Sequence, residues 1–284
     1  MTIPIEAVSV PDVVRELAGD GLVTPAWRNE LGGLTFRVDP VADAASRAAC
    51  YVKWMPFSDR ATTERVDLDN EAARMRWAAP YTPVPHVLDV GADDEAKWLV
   101  TAAMSASSAV DPRWLAEPET AARAIGAGLR ALHDVLPVDE CPWTWSIEDR
   151  IAVAEDRAAR GHAADGWSLE TRARLAEAPE HDRLVVCHGD ACAPNTLIDD
   201  DGGPPQAGGA PACEGSAPSC GHVDLGDLGV ADRWADLAVA TLSLSWNYLG
   251  SWDGELLDAY GVDPDPARIE YYRRLWNAGD ISSH

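Results

Sequence analysis

A short polar segment, His188-Gly189-Asp190, is followed by Asn195 and forms the pattern HGDxxxxN. Further along the chain, His222-Val223-Asp224-Leu225-Gly226 contains an apolar-flanked DxG motif. Phosphoryl transfer needs a carboxylate that orients and deprotonates a hydroxyl group, and oxygen ligands that hold Mg²⁺ on the phosphates. One tight loop can supply both, because Asp190 can face the hydroxyl while Asn195 turns back to the metal. Asp224 would then complete the magnesium site.

Each of these motifs alone is also typical of a polar turn between two strands. Their order is more specific, since the DxG motif is followed by Ala231-Asp232-Arg233 and then by Asp236-Leu237-Ala238. The complete set favours a kinase that uses ATP and Mg²⁺.

The bulk composition excludes some classes of function. The chain has 284 residues and a formal net charge of -24, which argues against binding to nucleic acid. The acidic charge could concentrate cationic substrates or could serve solubility only, and composition does not decide between the two.

No apolar run is long enough for a membrane span, and the N-terminus lacks the features of a secretory signal, so we expect a cytoplasmic protein. The six cysteines show no CxxC pair, and we expect free thiols.

The elements that position these motifs differ between the two parts of the chain. Strand-like composition predicts a hairpin over residues 34–38 and 49–54, and a second strand pair over 86–90 and 97–101. Apolar spacing predicts a helix over residues 67–79. In the second part, helices are predicted over residues 121–135, 146–161 and 235–246, the second with a capping box at Ser146. Residues 199–219 are rich in Gly, Pro, Ala and Ser and predict an exposed loop, whose part 202–219 has no assigned role.

These patterns predict an α+β fold with two lobes. Residues 1–104 would form a small β-rich N-terminal lobe, and residues 105–284 a larger helical C-terminal lobe.

Around the HGD and DxG motifs, and through Glu71-Ala72-Ala73-Arg74, Ala131-Leu132-His133 and Tyr260-Gly261, the chain resembles the aminoglycoside phosphotransferase family. It is most similar to the 3'-phosphotransferases, with the streptomycin 3''-phosphotransferases next. The resemblance covers most of the chain. It implies a two-lobed, protein-kinase-like fold with ATP at the lobe junction.

The resemblance also implies roles for individual residues. Asp190 looks like the catalytic base, and Asn195 and Asp224 look like the magnesium ligands. Lys53 would bind the α- and β-phosphates with Glu71 as its helix partner. Gly32 and Gly33 would form a loop over the phosphates. Backbone groups of Ala102 and Met104 would bind adenine. We expect His188 to form structural hydrogen bonds. We also expect Asp236 to brace the HGDxxxxN loop by accepting hydrogen bonds from its backbone amides.

Departures from the family pattern concern the substrate. Asp227 stands where the 3'-enzymes carry an arginine after DxG, and Leu242-Ser243 replaces an Arg-Asp pair. The acidic, aromatic C-terminal ending of the family is also missing. Aromatic residues near the C-terminus suggest a flatter or less cationic substrate. Asp253, Glu255 and Asp280 remain candidate ligands for substrate amines.

Three hypotheses about function follow. The first is an ATP- and Mg²⁺-dependent O-phosphotransferase that acts on an aminoglycoside or related antibiotic, as a resistance-type enzyme. The second keeps this chemistry but changes the substrate to a sugar, an amino alcohol or another small hydroxylated metabolite. The third is a non-catalytic nucleotide-binding relative. The sequence leaves open the oligomeric state, the hydroxyl that is phosphorylated, and the choice between ATP and GTP.

Overall fold

The computed structural model describes residues 8–29, 31–41, 48–58, 67–161, 163–164, 167–199 and 220–279. The chain divides into two compact units. The first unit contains the described residues of 1–77 and 85–104, and the second contains those of 78–84 and 105–284. The segment 78–84 thus clusters with the second unit, although the sequence pattern placed it in the first. The functions expected for the two parts remain predictions.

The first unit is built on an antiparallel sheet with strand order β1-β2-β3-β5-β4. The predicted hairpin, strand pair and helix are confirmed, whereas α1 and β1 were not predicted. The elements are α1 (Asp12–Ala18), β1 (Leu22–Arg28), β2 (Leu34–Asp39), β3 (Cys50–Pro56), α2 (Leu68–Ala78), β4 (Val87–Ala92) and β5 (Ala96–Ala102).

One face of this sheet forms an apolar core with α1. Phe36 of β2 and Val52 of β3 are paired neighbours and are both buried, and Val14 of α1 belongs to the same cluster. Because successive side chains of a strand point to opposite faces, Lys53 is directed away from this core.

The second unit is mainly helical. Its predicted helices are confirmed, and Ser146 caps α5 by accepting a hydrogen bond from the Asp149 N–H at 3.0 Å. The elements are β6 (Ser107–Ser108), α3 (Pro112–Leu115), α4 (Pro118–Val135), α5 (Ile147–Ala159), α6 (Leu169–Ala176), β7 (Leu184–Cys187), β8 (Thr196–Ile198), β9 (Cys220–His222), β10 (Gly229–Asp232), α7 (Trp234–Asn247), α8 (Asp253–Tyr260) and α9 (Pro266–Gly279), with 3-10 turns at Val138–Glu140, Ala193–Asn195 and Leu225–Asp227.

Helix α4 packs closely against α8. A Cβ atom at Gly126 would lie 2.2 Å from the carbonyl oxygen of Leu256, so a larger residue would force the two helices apart. The buried face of α4 carries Ile125, Leu129 and Leu132, as its apolar spacing predicts. The polar residue His133 lies on the same helix and is also buried.

Two further sequence expectations can be compared with the structure. Asp199, predicted to begin an exposed loop, is 8 % exposed and therefore buried, while residues 200–219 lie outside the described residues. The cysteines in the described part of the chain are free thiols, as expected, and Cys213 falls outside that part. Within the described ranges, no helix is both long and apolar enough to cross a membrane.

Candidate active site

In the first unit, the structure brings Lys53 and Glu71 together. The Lys53 Nζ atom lies 2.8 Å from Glu71 Oε2, which links β3 to α2. The Glu71 side chain is 7 % exposed and that of Lys53 is 22 % exposed. A carboxylate held in a fixed helix and largely out of water can therefore orient an ammonium group that still reaches solvent. Phosphate binding by Lys53 remains a prediction.

The Gly32-Gly33 segment forms the turn between β1 and β2. Gly32 adopts φ 87°, which favours glycine. The Gly33 N–H donates to Asn29 Oδ1 at 2.7 Å, and the Gly33 carbonyl accepts from the Asn29 N–H at 3.0 Å. In this structure the Gly33 N–H is thus bonded within its own turn. A role in covering phosphates remains a prediction.

The predicted adenine-binding segment follows β5. The Ala102 N–H donates to the carbonyl of His86 at 2.8 Å, and the Ala103 N–H donates to that of Ala49 at 2.9 Å. The Met104 N–H has no hydrogen bond to any residue that the structure describes. Of the predicted positions, Met104 therefore offers the backbone donor with which an adenine could form a new hydrogen bond.

In the second unit, the HGDxxxxN segment is the loop between β7 and β8, and we call residues 188–195 the catalytic loop. It begins beside the turn that carries Asp227. Gly189 has φ 86°, and a Cβ atom there would lie 2.2 Å from the carbonyl oxygen of Asp227. The glycine of the HGD motif is thus required by both its conformation and its contact with the DxG segment.

The structure places Asp190 and Asn195 in direct contact. Asn195 Nδ2 donates to Asp190 Oδ2 and to the Asp190 carbonyl, both at 3.0 Å. A carboxylate and a carbonyl can only accept hydrogen bonds, so the amide nitrogen must face them. The Asn195 Oδ1 atom is therefore left as an oxygen ligand for a cation.

Asp224 lies just after the last residue of β9, and Asn195 lies just before the first residue of β8, so both residues are at the same end of this strand pair. The two strands are antiparallel, and the Val223 N–H donates to the Asn195 carbonyl at 3.0 Å. Asp224 has φ 61°, and it alone among the described non-glycine residues has a positive φ. Such a conformation costs on the order of 1–3 kcal/mol and is typical of functional sites. Asp190 and Asn195 are thus in direct contact, and Asp224 directly follows the residue whose N–H bonds to Asn195, while the catalytic and metal-binding roles of all three remain predictions.

Asp236 braces the catalytic loop, as expected. Its carboxylate is fully buried and accepts hydrogen bonds from the His188 N–H at 2.6 Å and the Gly189 N–H at 2.9 Å. Burial alone would raise the pKa of Asp236, but the hydrogen bond and electrostatic interaction with His133, together with the interactions with His188 and the Gly189 N–H, outweigh this and lower the pKa below its ordinary value. The expected structural role of His188 is confirmed by its ring, whose Nε2 atom lies 2.9 Å from the Val223 carbonyl oxygen.

His133, for which the sequence motifs predict no role, completes this buried arrangement. Its Nε2 atom lies 2.9 Å from Asp236 Oδ2, and its Nδ1 atom lies 2.9 Å from the hydroxyl of Tyr260. His133, Asp236 and Cys187 are close enough to suggest a metal site, but the histidine nitrogens are already engaged in hydrogen bonds. The available signal was a histidine four residues after Leu129, on the apolar face of α4.

Two further contacts of the catalytic loop are not predicted by the sequence patterns. The Cys192 thiol donates to Asp190 Oδ1 at 3.1 Å, so both oxygens of the candidate base have a donor. Ser243, noted only as a departure from the family pattern, accepts a hydrogen bond from the Ala193 N–H at 2.9 Å. No signal in the sequence connects Ser243 with the loop, because the two are far apart in the chain.

Asp227 has a cationic neighbour from another helix. Arg150 of α5 places its Nη1 atom 3.6 Å from Asp227 Oδ2, and its guanidinium lies 4.8 Å from the centre of the Trp145 ring. A positive charge therefore lies beside the turn after Asp224, although the residue at position 227 is itself acidic.

Two of the candidate substrate ligands, Asp253 and Glu255, lie in the first turn of α8. Asp253 lies 3.3 Å from Arg273, which also donates to Thr241 of α7. Burial raises the pKa of Asp253, and Arg273 opposes this. Asp253 is thus already paired with a cation. Glu255 lies on the same helix and is half-buried. Asp280 lies outside the described residues. Amine binding by these three residues remains a prediction.

The donor set in the second unit fits Mg²⁺. This ion prefers oxygen ligands and is commonly bound by one or two carboxylates together with phosphate oxygens. The orientation of the Asn195 amide leaves Oδ1 as a ligand, and Asp224 supplies a carboxylate at the same end of the β8–β9 pair. These two residues would hold the metal.

A sheet-based first unit, a helical second unit and a loop that holds a candidate base beside a candidate metal ligand are the features expected of a small-molecule phosphotransferase. A sequence model described as "Phosphotransferase enzyme family" matches residues 42–208. An aminoglycoside 3'-phosphotransferase of Streptomyces fradiae is 34% identical over 229 residues, which cover 74% of this chain and 78% of the relative. A streptomycin 3''-kinase of Streptomyces griseus is 31% identical over 281 residues, covering 91% of this chain and 92% of the relative.

A solved structure agrees with these sequence matches. The crystal structure of an aminoglycoside-3'-phosphotransferase of type VIII has a TM-score of 0.71 and 25% identity, and the match covers 94% of this chain and 96% of that one. The chain belongs to the Phosphotransferase enzyme family, and the predicted resemblance and α+β kinase-like fold are confirmed. It is an enzyme that phosphorylates hydroxyl groups, which speaks against the non-catalytic alternative.

Proposed function

We propose that this enzyme transfers the γ-phosphoryl group of ATP to a hydroxyl group of an aminoglycoside antibiotic and thereby confers resistance. The substrate class is supported by the names of the relatives, which act on aminoglycosides and on streptomycin. The net charge of -24 is compatible with a polycationic acceptor. We further propose that the reaction takes place in the cytoplasm, where ATP is available.

The observation that carries the proposal is the contact between Asp190 and Asn195. A base must be held within hydrogen-bond reach of the proton that it accepts. Asn195 Nδ2 and the Cys192 thiol donate hydrogen bonds to the two oxygens of Asp190 and thereby restrain the carboxylate, whose oxygens can each accept more than one hydrogen bond. The carboxylate is thus oriented before the substrate arrives.

Each residue then has a defined task. Asp190 orients the acceptor hydroxyl and takes its proton as the acceptor oxygen bonds to the γ-phosphorus atom. The bond from the γ-phosphorus to the bridging oxygen breaks, and ADP leaves. Asn195 and Asp224 hold Mg²⁺, which when bound neutralises charge on the phosphate oxygens. Lys53, oriented by Glu71, binds the α- and β-phosphates.

The test is an ADP-release assay with kanamycin, neomycin, streptomycin and simple amino sugars as acceptors. We expect ADP release that depends on an aminoglycoside and on Mg²⁺. The acceptor that is used distinguishes the regiochemistry, since a 3'-enzyme uses kanamycin but not its 3'-deoxy analogue, and a 3''-enzyme of the streptomycin type uses streptomycin. Phosphorus NMR of the product identifies the modified hydroxyl.

Two outcomes would change the proposal. ADP release with amino sugars or amino alcohols only would favour the alternative of a metabolite kinase. An absence of acceptor-dependent ADP release with the whole panel would contradict the proposed function. Parallel assays with GTP decide which nucleotide the enzyme prefers.

A further inference from the structure

The catalytic loop is attached to helix α7 at two places. At its start, Asp236 accepts the N–H groups of His188 and Gly189. At its end, Ser243 Oγ accepts the Ala193 N–H at 2.9 Å. Ser243 and Ala193 are each 0 % exposed, so water cannot replace this hydrogen bond in the folded protein. Removal of the hydroxyl would leave a buried N–H without an acceptor, which is costly.

A second residue fixes the Ser243 hydroxyl. Asn247 Nδ2 donates to the Ser243 carbonyl at 2.9 Å and to its Oγ atom at 3.2 Å. Asp236, Ser243 and Asn247 are spaced by seven and four residues and therefore share one face of α7. This face holds the loop, since both loop attachments come from it.

The two attachments act on different functional residues. Ala193 belongs to the 3-10 turn Ala193–Asn195, and the Asn195 N–H donates to the Cys192 carbonyl at 2.9 Å. This turn is short and internally bonded, so a shift of Ala193 moves Asn195 with it. Asp236, in contrast, holds the backbone that leads directly into Asp190.

We propose that Ser243, fixed by Asn247, is a positioning residue for the candidate metal ligand Asn195, while Asp236 positions the candidate base Asp190. The proposal rests on the proposed function, because it needs Asn195 to bind Mg²⁺ with the nucleotide. It assigns a role to a serine at which this chain departs from the family pattern. One helix would thus set the metal end and the base end of the loop through separate side chains.

The test measures nucleotide binding and needs neither acceptor nor turnover. Isothermal titration calorimetry gives the Kd of a non-hydrolysable ATP analogue with and without Mg²⁺, for the wild type and for Ser243→Ala. We expect the Mg²⁺-dependent gain in affinity to fall by about fivefold, the ratio that corresponds to one buried hydrogen bond. Without Mg²⁺ the two Kd values should agree, because Ser243 does not act on nucleotide groups other than the metal-bound phosphates.

Ser245→Ala is the matched control. Ser245 lies on the same helix, is exposed, and donates its hydroxyl to the Leu242 carbonyl of that helix at 2.6 Å. Its removal should leave the Kd unchanged with and without Mg²⁺. If Ser243→Ala fails to fold, as judged by circular dichroism, Asn247→Ala keeps the serine and is expected to change the Kd in the same direction by a smaller factor.

The outcomes distinguish a failure of the positioning role of Ser243 from a failure of the proposed function. Equal Mg²⁺-dependent affinity in wild type and in the folded Ser243→Ala protein, or in Asn247→Ala where the first variant does not fold, would overturn the positioning role. A wild type whose nucleotide affinity does not depend on Mg²⁺ would contradict the magnesium site itself and the proposal with it. Mg²⁺-dependent nucleotide binding without any aminoglycoside turnover would contradict only the proposed substrate.

Discussion

The two units hold their candidate functional residues in different ways. In the first, the ion pair with Glu71 links a strand to a helix and orients Lys53, and the lysine remains partly exposed. In the second, Asp190 and Asn195 lie in a loop whose backbone is bonded to two buried side chains of a single helix, Asp236 and Ser243. The difference matches the tasks proposed for them, since a flexible ammonium can follow a phosphate group, whereas proton transfer requires a fixed carboxylate.

Replacement of Asp190 tests the second unit most severely. Asp190→Ala should lower kcat by about 10³-fold, the range expected for loss of a general base, and leave the Kd for ATP nearly unchanged. Steady-state kinetics with the best acceptor, combined with calorimetric ATP binding, measures both effects. Turnover close to that of the wild type would show that another group accepts the proton.

Asp236→Asn should act mainly on stability. Replacement of one partner in a buried charged hydrogen-bond arrangement costs about 3 kcal/mol of unfolding free energy at neutral pH. Because the folded-state pKa of Asp236 is lowered, its contribution is present above the unfolded pKa, near 4, and is lost as the pH falls through the folded-state pKa. Urea unfolding of both proteins should therefore show a difference that is constant near neutral pH and shrinks in acid. A difference that does not change with pH would argue against an ionised Asp236.

Asp224→Ala should weaken binding of the magnesium-nucleotide complex by about 30-fold, or about 2 kcal/mol, as expected for loss of one charged ligand. Binding of the nucleotide without Mg²⁺ should change much less. Alanine tolerates φ 61° less well than aspartate, so Asp224→Ala can also add backbone strain, and Asp224→Asn, which tolerates the same backbone, is the control. Normal magnesium-nucleotide affinity in both variants would remove Asp224 from the metal site.

In the first unit, Lys53→Met should raise KM for ATP by about tenfold, and Glu71→Gln by about threefold, because partial exposure limits the strength of each charged contact. If Glu71 acts only through Lys53, the double variant should resemble Lys53→Met alone. Steady-state kinetics at varied ATP concentration tests this relation. Effects that simply multiply would show that Glu71 does not act through the lysine.

The smallest effect is expected for Cys192. Cys192→Ala removes the thiol donor to Asp190 and should lower kcat about threefold at unchanged KM for ATP, whereas Cys192→Ser keeps a donor and should stay closer to the wild type. A rapid-quench measurement of the first turnover isolates the chemical step. First-turnover rates equal to that of the wild type in both variants would show that the thiol does not help to orient the carboxylate.

Sequence analysis could predict the elements whose side chains repeat with a regular period, and the motif residues that are close together in the chain. The strands around Lys53 and the apolar face of α4 are examples. It could not predict contacts that the fold creates between distant segments. Ser243 and Ala193 are fifty residues apart, and nothing in the sequence distinguishes Ser243 from Thr241, whose hydroxyl bonds within its own helix.

The candidate substrate residues illustrate the same limit of sequence reasoning. Asp253 was selected because an acid near the C-terminus can bind an amine, but its pairing with Arg273 of α9 is visible only in the fold. Thr241, which Arg273 also contacts, lies roughly 140° around α7 from Asp236, whereas Ser243 lies within about 20° of it. Asp253 is thus associated with a side of α7 other than the one that holds the catalytic loop.

The most direct measurement is a crystal structure with Mg²⁺ and a non-hydrolysable ATP analogue. The account predicts that Asn195 Oδ1 and a carboxylate oxygen of Asp224 bind the same Mg²⁺ at about 2.1 Å, with the Asp190 carboxylate turned towards the terminal phosphate. A structure in which the carboxylates of Asp190 and Asp224 face separate surfaces would contradict it.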